Sequence, residues 1–140
     1  MTAGALSEDL SRFVAAQQAT YARALAELHA GAKLTHWMWF TFPQIAGLGR
    51  SHMAQLYAIR DLDEARAYLA HPVLGARLAE CVARVLEHAG TPPDAIFGAV
   101  DSIKLRSSMT LFEAAGGGGF VDVLDTFFAG IRDPETLRLL

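Results

Sequence analysis

The sequence has little of several things that usually announce a function. It holds one cysteine, Cys81, and two lysines, Lys33 and Lys104, against ten arginines. A single cysteine excludes an internal disulfide framework and fits a reducing compartment. Twelve basic and fifteen acidic residues leave a net charge of −3, so no broad footprint for nucleic acid exists. The most apolar stretch, Trp37 to Pro43, falls far short of the roughly 20 residues a spanning helix needs. The N-terminus, MTAGALSEDL, lacks the basic region and apolar run of a signal peptide. A cytoplasmic protein, with no membrane or nucleic-acid partner, is the expectation. With 52% hydrophobic residues and only 19% charged ones, the chain is too apolar for disorder.

What is present favours helix. The 140 residues include 25 alanines and 18 leucines, both strong helix formers. That length predicts one domain, residues 1–140, able to bury about two-thirds of its unfolded surface. Ser7, Glu8 and Asp9 read as a cap with acids in a first helical turn. Leu10, Phe13, Val14, Gln17, Tyr21, Ala24, Leu25 and Leu28 then recur at three- and four-residue steps, ending at Gly31. Gln17 lies on this apolar stripe, so its amide must find partners inside.

Residues 33–50 break the helical period. They alternate like a strand, but no second strand exists to pair with, so they read as an aromatic-rich segment that is extended, irregular or partly helical. Shorter helices follow from Ser51 and from Asp61, which has Glu64 at capping-box spacing. Leu74, Leu78, Cys81, Val82, Val85 and Leu86 mark the apolar face of another that stops near Gly90, and Ala95 to Ala99 form a helical turn. A helix opens at Asp101 and stops before the four glycines 116–119. Phe120 to Phe128 form another. Asp133 and Pro134 cap and start a terminal helix. The predicted fold is all-α: an orthogonal bundle of six to seven helices, several of them short.

Common catalytic templates are missing. The five histidines show no metal-ligand spacing, and no metal or cofactor site is expected. Cys81 lies between Leu78 and Val85 on an apolar helix face and reads as a packing thiol. The glycine run lacks the Lys-Ser/Thr ending of a phosphate loop.

Three features remain. First, His36 sits beside both tryptophans of the chain, Trp37 and Trp39, with Gln44 close behind. An indole N–H needs a partner when buried, so the segment is either a core anchor or the wall of a pocket for a flat ligand. Second, Arg50 and Ser51 follow the Gly47/Gly49 turn. They form either an ordinary cap or an anion site at a helix start. Third, the helix from Asp101 carries Lys104, Ser107 and Ser108 among apolar residues. Lys33 falls in a loop and reads as ordinary. Lys104 sits in mid-helix, where a compact ammonium, or an amine that loses its proton on burial, serves binding or nucleophilic chemistry. The plain alternative is a surface pair with Asp101.

The motifs HWMWFTFPQIAGLGRS, YLAHPVLGARL and IFGAVDSIKLRSSMTLFEAA together closely resemble domain-of-unknown-function family 1810, over essentially the whole chain. Members are sometimes labelled calpastatin, a disordered polar inhibitor that this apolar chain does not fit. The resemblance implies a small, mainly α-helical cytoplasmic protein and no assigned activity. In arrangement the aromatic segment, the LDEARAYL helix and the MTLF helix are faintly similar to NADAR-type glycosidases, which cleave N-glycosidic bonds in ADP-ribose-like or riboflavin-pathway compounds. No motif carries residues over from them.

Two functions of different classes follow. In the first, the chain holds a nucleotide-like or phosphorylated small molecule. Trp37, Trp39, Gln44, Arg50, Ser51, Ser107 and Ser108 bind it, and any chemistry, such as N-glycosidic cleavage, uses Lys104, Asp101 and His36. In the second, Trp37, Trp39 and Phe40 form an exposed patch that docks a partner or a second copy, giving a homodimer.

Overall fold

The structure is a computed structural model that describes the backbone of residues 2–140 and side chains from Leu10 onward. Among the described residues there are nine helices and no sheet. They are α1 (Thr2–Ala30), α2 (Met38–Thr41), α3 (His52–Leu56), α4 (Leu62–Ala70), α5 (Leu74–Leu86), α6 (Pro93–Phe97), α7 (Ala99–Ala114), α8 (Phe120–Phe128) and α9 (Pro134–Leu139). The all-α reading therefore stands, with more helices than the six to seven expected. The short elements from Ser51, before Asp101 and from Pro134 fold as α3, α6 and α9, and one turn, α2, forms inside the aromatic segment, too short to show a period of 3.6.

The long amphipathic stripe folds as α1, with Leu10, Phe13, Gln17, Ala24 and Leu28 buried. Helix α1 begins upstream of Ser7, and the cap expected at Ser7 involves side chains outside the described residues. Gln17 finds its partners: its amide donates to the Phe40 carbonyl at 2.7 Å and to the Tyr68 hydroxyl at 3.0 Å. These bonds fasten the aromatic segment and α4 onto α1.

The segment 33–50 is irregular except for the single turn α2, and it is not a free loop. One isolated parallel bridge joins Ile45 to Ile59. Ala46 N–H donates to the Ile59 carbonyl, and Ile59 N–H to the Gln44 carbonyl, both at 2.8 Å. The alternation in the sequence is thus spent on one bridge. Asp61 caps α4 through the Glu64 N–H at 2.9 Å, but Glu64 returns its carboxylate to the Arg60 N–H rather than to Asp61. Two glycines shape the remaining junctions. At Gly75 a Cβ would meet the Leu69 carbonyl oxygen at 2.2 Å, so only glycine lets α5 begin so close to α4. Gly98, at φ +83°, turns α6 into α7, a conformation costly for residues with a Cβ.

Helix α7 packs against α4, α6, α8 and α9, and most of its positions from Ser102 to Phe112 are buried. Its polar residues hold neighbouring chain. The Ser102 hydroxyl donates to the Asp94 carboxylate, and the Thr110 hydroxyl accepts the Asp133 N–H at 3.0 Å. One apolar core runs from Leu10 through Phe127 and includes Trp37, Phe42, Tyr68, Cys81 and Phe112.

Candidate functional site

The aromatic segment is fixed from below by a carboxylate of α1. Glu27 is buried and accepts four hydrogen bonds. These come from Leu34 N–H at 2.7 Å, Thr35 N–H at 3.0 Å, the Thr35 hydroxyl at 2.7 Å and the Trp37 indole N–H at 2.9 Å. Burial works to raise its pKa, but these donors outweigh burial and bring it down to about 2. Trp37 is only 1% exposed. Its N–H is satisfied by this buried anion, as a buried indole requires.

Both lysines of the chain converge on one carboxylate. Asp101, in the first turn of α7, pairs through Oδ2 with Lys33 Nζ at 2.8 Å and through Oδ1 with Lys104 Nζ at 3.2 Å. Burial opposes the charge on Asp101, yet the two ammonium groups hold its carboxyl below the ordinary value. Each lysine also lies over one tryptophan. Lys33 Nζ is 5.0 Å from the Trp37 ring centre and Lys104 Nζ is 4.9 Å from that of Trp39. Lys33, read from sequence as ordinary, is the more buried of the two, with a side chain 7% exposed against 23% for Lys104. It also donates to the Thr35 carbonyl at 2.6 Å, closing the loop over Glu27.

Lys104 and Trp39 face a cleft of about 540 Å³, a size that suits a small molecule. Trp39 of α2, Lys104, Ile103 and Ser107 of α7, and Asp133 and Glu135 at the start of α9 form part of its wall. Gln44, Leu48, Gly49, Arg50 and Ser51 of the pinned loop, with Ala54 of α3, form the rest. Ile103, 64% exposed, puts an apolar side chain at its edge. Among the described residues, nothing pairs with the Arg50 guanidinium or the Gln44 amide. Glu135 is engaged by Arg138 at 2.8 Å. Ser51 turns its oxygen to the Ala54 N–H at 3.1 Å, so it caps α3, a helix of five residues. Of the two readings of Arg50 and Ser51, the cap is the one these bonds describe, and Arg50 stands in the cleft wall as a cation.

The structure gathers Trp39, Gln44, Arg50, Ser51, Lys104 and Ser107 at the cleft. It does not bring Trp37, Asp101, His36 or Ser108 there. Trp37 belongs to the core. Asp101 stands behind Lys104 with both oxygens paired, so it is an anchored anion rather than a proton donor. His36 is exposed, away from the cleft lining. Ser108 is fully buried, and no described residue partners its hydroxyl. Trp37 and Phe40, at 1% and 4% exposure, are also unavailable to an exposed docking patch, which leaves only Trp39 of the three. Sequence reasoning missed Glu27, Lys33 and the cleft-facing side of Asp133. Glu27 gave one signal: it interrupts the apolar stripe beside Ala24 and Leu28. Among the described residues no group of three or more His, Cys, Asp or Glu is placed to hold a metal ion. Among the same residues no helix is long and apolar enough to cross a membrane.

The fold and cleft define a small all-helical protein in which one lysine–tryptophan pair is packed inside and its twin borders an open cleft. Residues 7–140 match the family described as "Protein of unknown function (DUF1810)", and the chain belongs to that family. Its structure is similar to the crystal structure of the conserved hypothetical protein Rv1873 from Mycobacterium tuberculosis. The two share 48% identity and a TM-score of 0.92, over 94% of this chain and 96% of that one. No curated protein matches the sequence.

Proposed function

We propose that the cleft binds a small nucleotide-like or phosphorylated molecule. The observation that carries this reading is the cleft wall itself. A partly buried tryptophan ring, a lysine beside it and an arginine with no partner among the described residues line the same 540 Å³ space. An aromatic face holds a flat ring through stacking, and a guanidinium holds an anion through paired hydrogen bonds. Leu48, Ala54 and Ile103 supply the apolar remainder that most ligand sites have.

N-glycosidic cleavage is a narrower form of the same reading. Lys104 then serves as an electrostatic group, since its ammonium is already paired with Asp101. Asp101 and His36 do not supply the acid, the first being held ionised and the second lying outside the cleft. Calorimetric titration with nucleoside mono- and diphosphates and pentose phosphates tests the binding. The expected result is saturable binding that Trp39→Ala and Arg50→Ala each weaken at least tenfold. Absence of binding across the panel, or binding unaffected by both substitutions, refutes the reading. Chromatography of the incubated ligands detects a released base.

A further inference from the structure

One carboxylate in the cleft is set up differently from the other charged groups. Asp133 caps α9, and its Oδ2 takes every hydrogen bond. The Ser107 hydroxyl donates at 2.7 Å, the Thr136 hydroxyl at 2.6 Å and the Thr136 N–H at 3.3 Å. Its own N–H is held by Thr110. No described residue donates to Oδ1. Three donors on one oxygen fix the plane of the carboxylate, so the free oxygen has a set position rather than a mobile one. Burial opposes its charge, but the bonds from Thr136 and Ser107, with the nearby Arg106, hold Asp133 ionised below the ordinary carboxyl range.

A fixed anionic oxygen with no donor of its own asks for a donor from the ligand. It repels a phosphate, so a phosphate seats toward Arg50 and Lys104. It would accept a cationic amine, but those two cations in the same wall disfavour a positively charged ligand. A neutral hydroxyl meets both conditions, and a pentose carries two adjacent ones.

We infer that the cleft selects ribonucleotides over their deoxy counterparts, with Asp133 Oδ1 accepting a ribose hydroxyl while Trp39 stacks on the base and Arg50 pairs with the phosphate. This rests on the small-molecule reading above and names its ligand class. Asp133 is then the specificity residue of the site, and its capping bonds are what position it.

The experiment is calorimetric titration of the full chain with adenosine and uridine 5′-monophosphates and with the 2′,3′-dideoxy form of each. The wild type is expected to bind the dideoxy form of its preferred nucleotide about tenfold more weakly, the size of one hydrogen bond to a charged group. Asp133→Asn is expected to bind both forms alike. Asparagine caps a helix as well as aspartate and keeps an oxygen for Ser107 and Thr136, so its melting point serves as the folding control. Should that variant fail to fold, the wild-type ratio decides alone. Equal binding of ribo and dideoxy forms by the wild type overturns the assignment of Asp133 and leaves the cleft reading standing. Tighter binding of both forms by Asp133→Asn also overturns it, because the carboxylate then only repels phosphate. Binding of neither nucleotide to the wild type overturns both.

Discussion

Trp37 and Trp39 are two residues apart, and each carries a lysine over its ring, yet the two pairs live in different surroundings. Trp37 and Lys33 are closed off, with the indole N–H on buried Glu27 and the ammonium shared between Asp101 and the Thr35 carbonyl. Lys104 pairs with the other oxygen of the same Asp101, lies over Trp39, and with it looks onto the cleft. One carboxylate therefore links a pair that holds the fold to a pair left open to a ligand. The difference arises from α2. One turn of helix between Met38 and Thr41 leaves the two indoles on different sides of the segment.

The largest test of this division compares the tryptophans. Trp37→Ala removes a fully packed ring and leaves an indole-sized cavity with Glu27 short of a donor. It is expected to cost about 4 kcal/mol in urea unfolding. Trp39→Ala, at a partly buried cleft position, is expected to cost about 1 kcal/mol and to remove nucleotide binding. Comparable losses of stability in the two variants would break the comparison.

Glu27→Gln comes next, at about 3 kcal/mol, because four donors then face a neutral amide in place of an anion. The same residue sets a pH dependence. Folding lowers the Glu27 pKa from 4.5 to about 2, so its contribution is complete above pH 4.5 and drains away as pH falls toward 2. Asp101 and Asp133, also lowered, act in the same direction. Acid titration of the thermal midpoint is expected to show a fall below pH 4.5 that is shallower in Glu27→Gln.

The lysines sharpen the comparison at smaller scale. Lys33→Met breaks a buried pair but leaves Asp101 its second cation, for a cost of about 2 kcal/mol. Lys104→Met removes a half-open pair worth about 0.5 kcal/mol, with its main effect on ligand affinity. A reversed order would place the buried cation at Lys104, as mid-helix position alone suggested.

The helical fold was legible because its long elements obey one period. The stripes of α1, α5 and α8 each show the buried set directly, and Asp133-Pro134 marks α9 at its true start. The cleft was half legible. Rare residue types, two tryptophans and two lysines, pointed to Trp39 and Lys104, and the glycine turn to Arg50. Burial of Lys33 was not legible, since it depends on Asp101 arriving from α7, 68 positions later in the chain. The cleft side of Asp133 was hidden for a similar reason. Its cap explains it locally, and only the approach of α7 and the 44–51 loop turns it into part of a wall.

The two indole N–H groups give the most direct measurement of the central claim. In a nitrogen-15 spectrum of the labelled protein they yield two side-chain signals, assigned by the one lost in Trp39→Phe. Titration with a nucleoside monophosphate is predicted to move the Trp39 signal progressively to saturation while the Trp37 signal stays in place. Movement of the Trp37 signal alone, or of neither, would contradict the division between a holding pair and a binding pair.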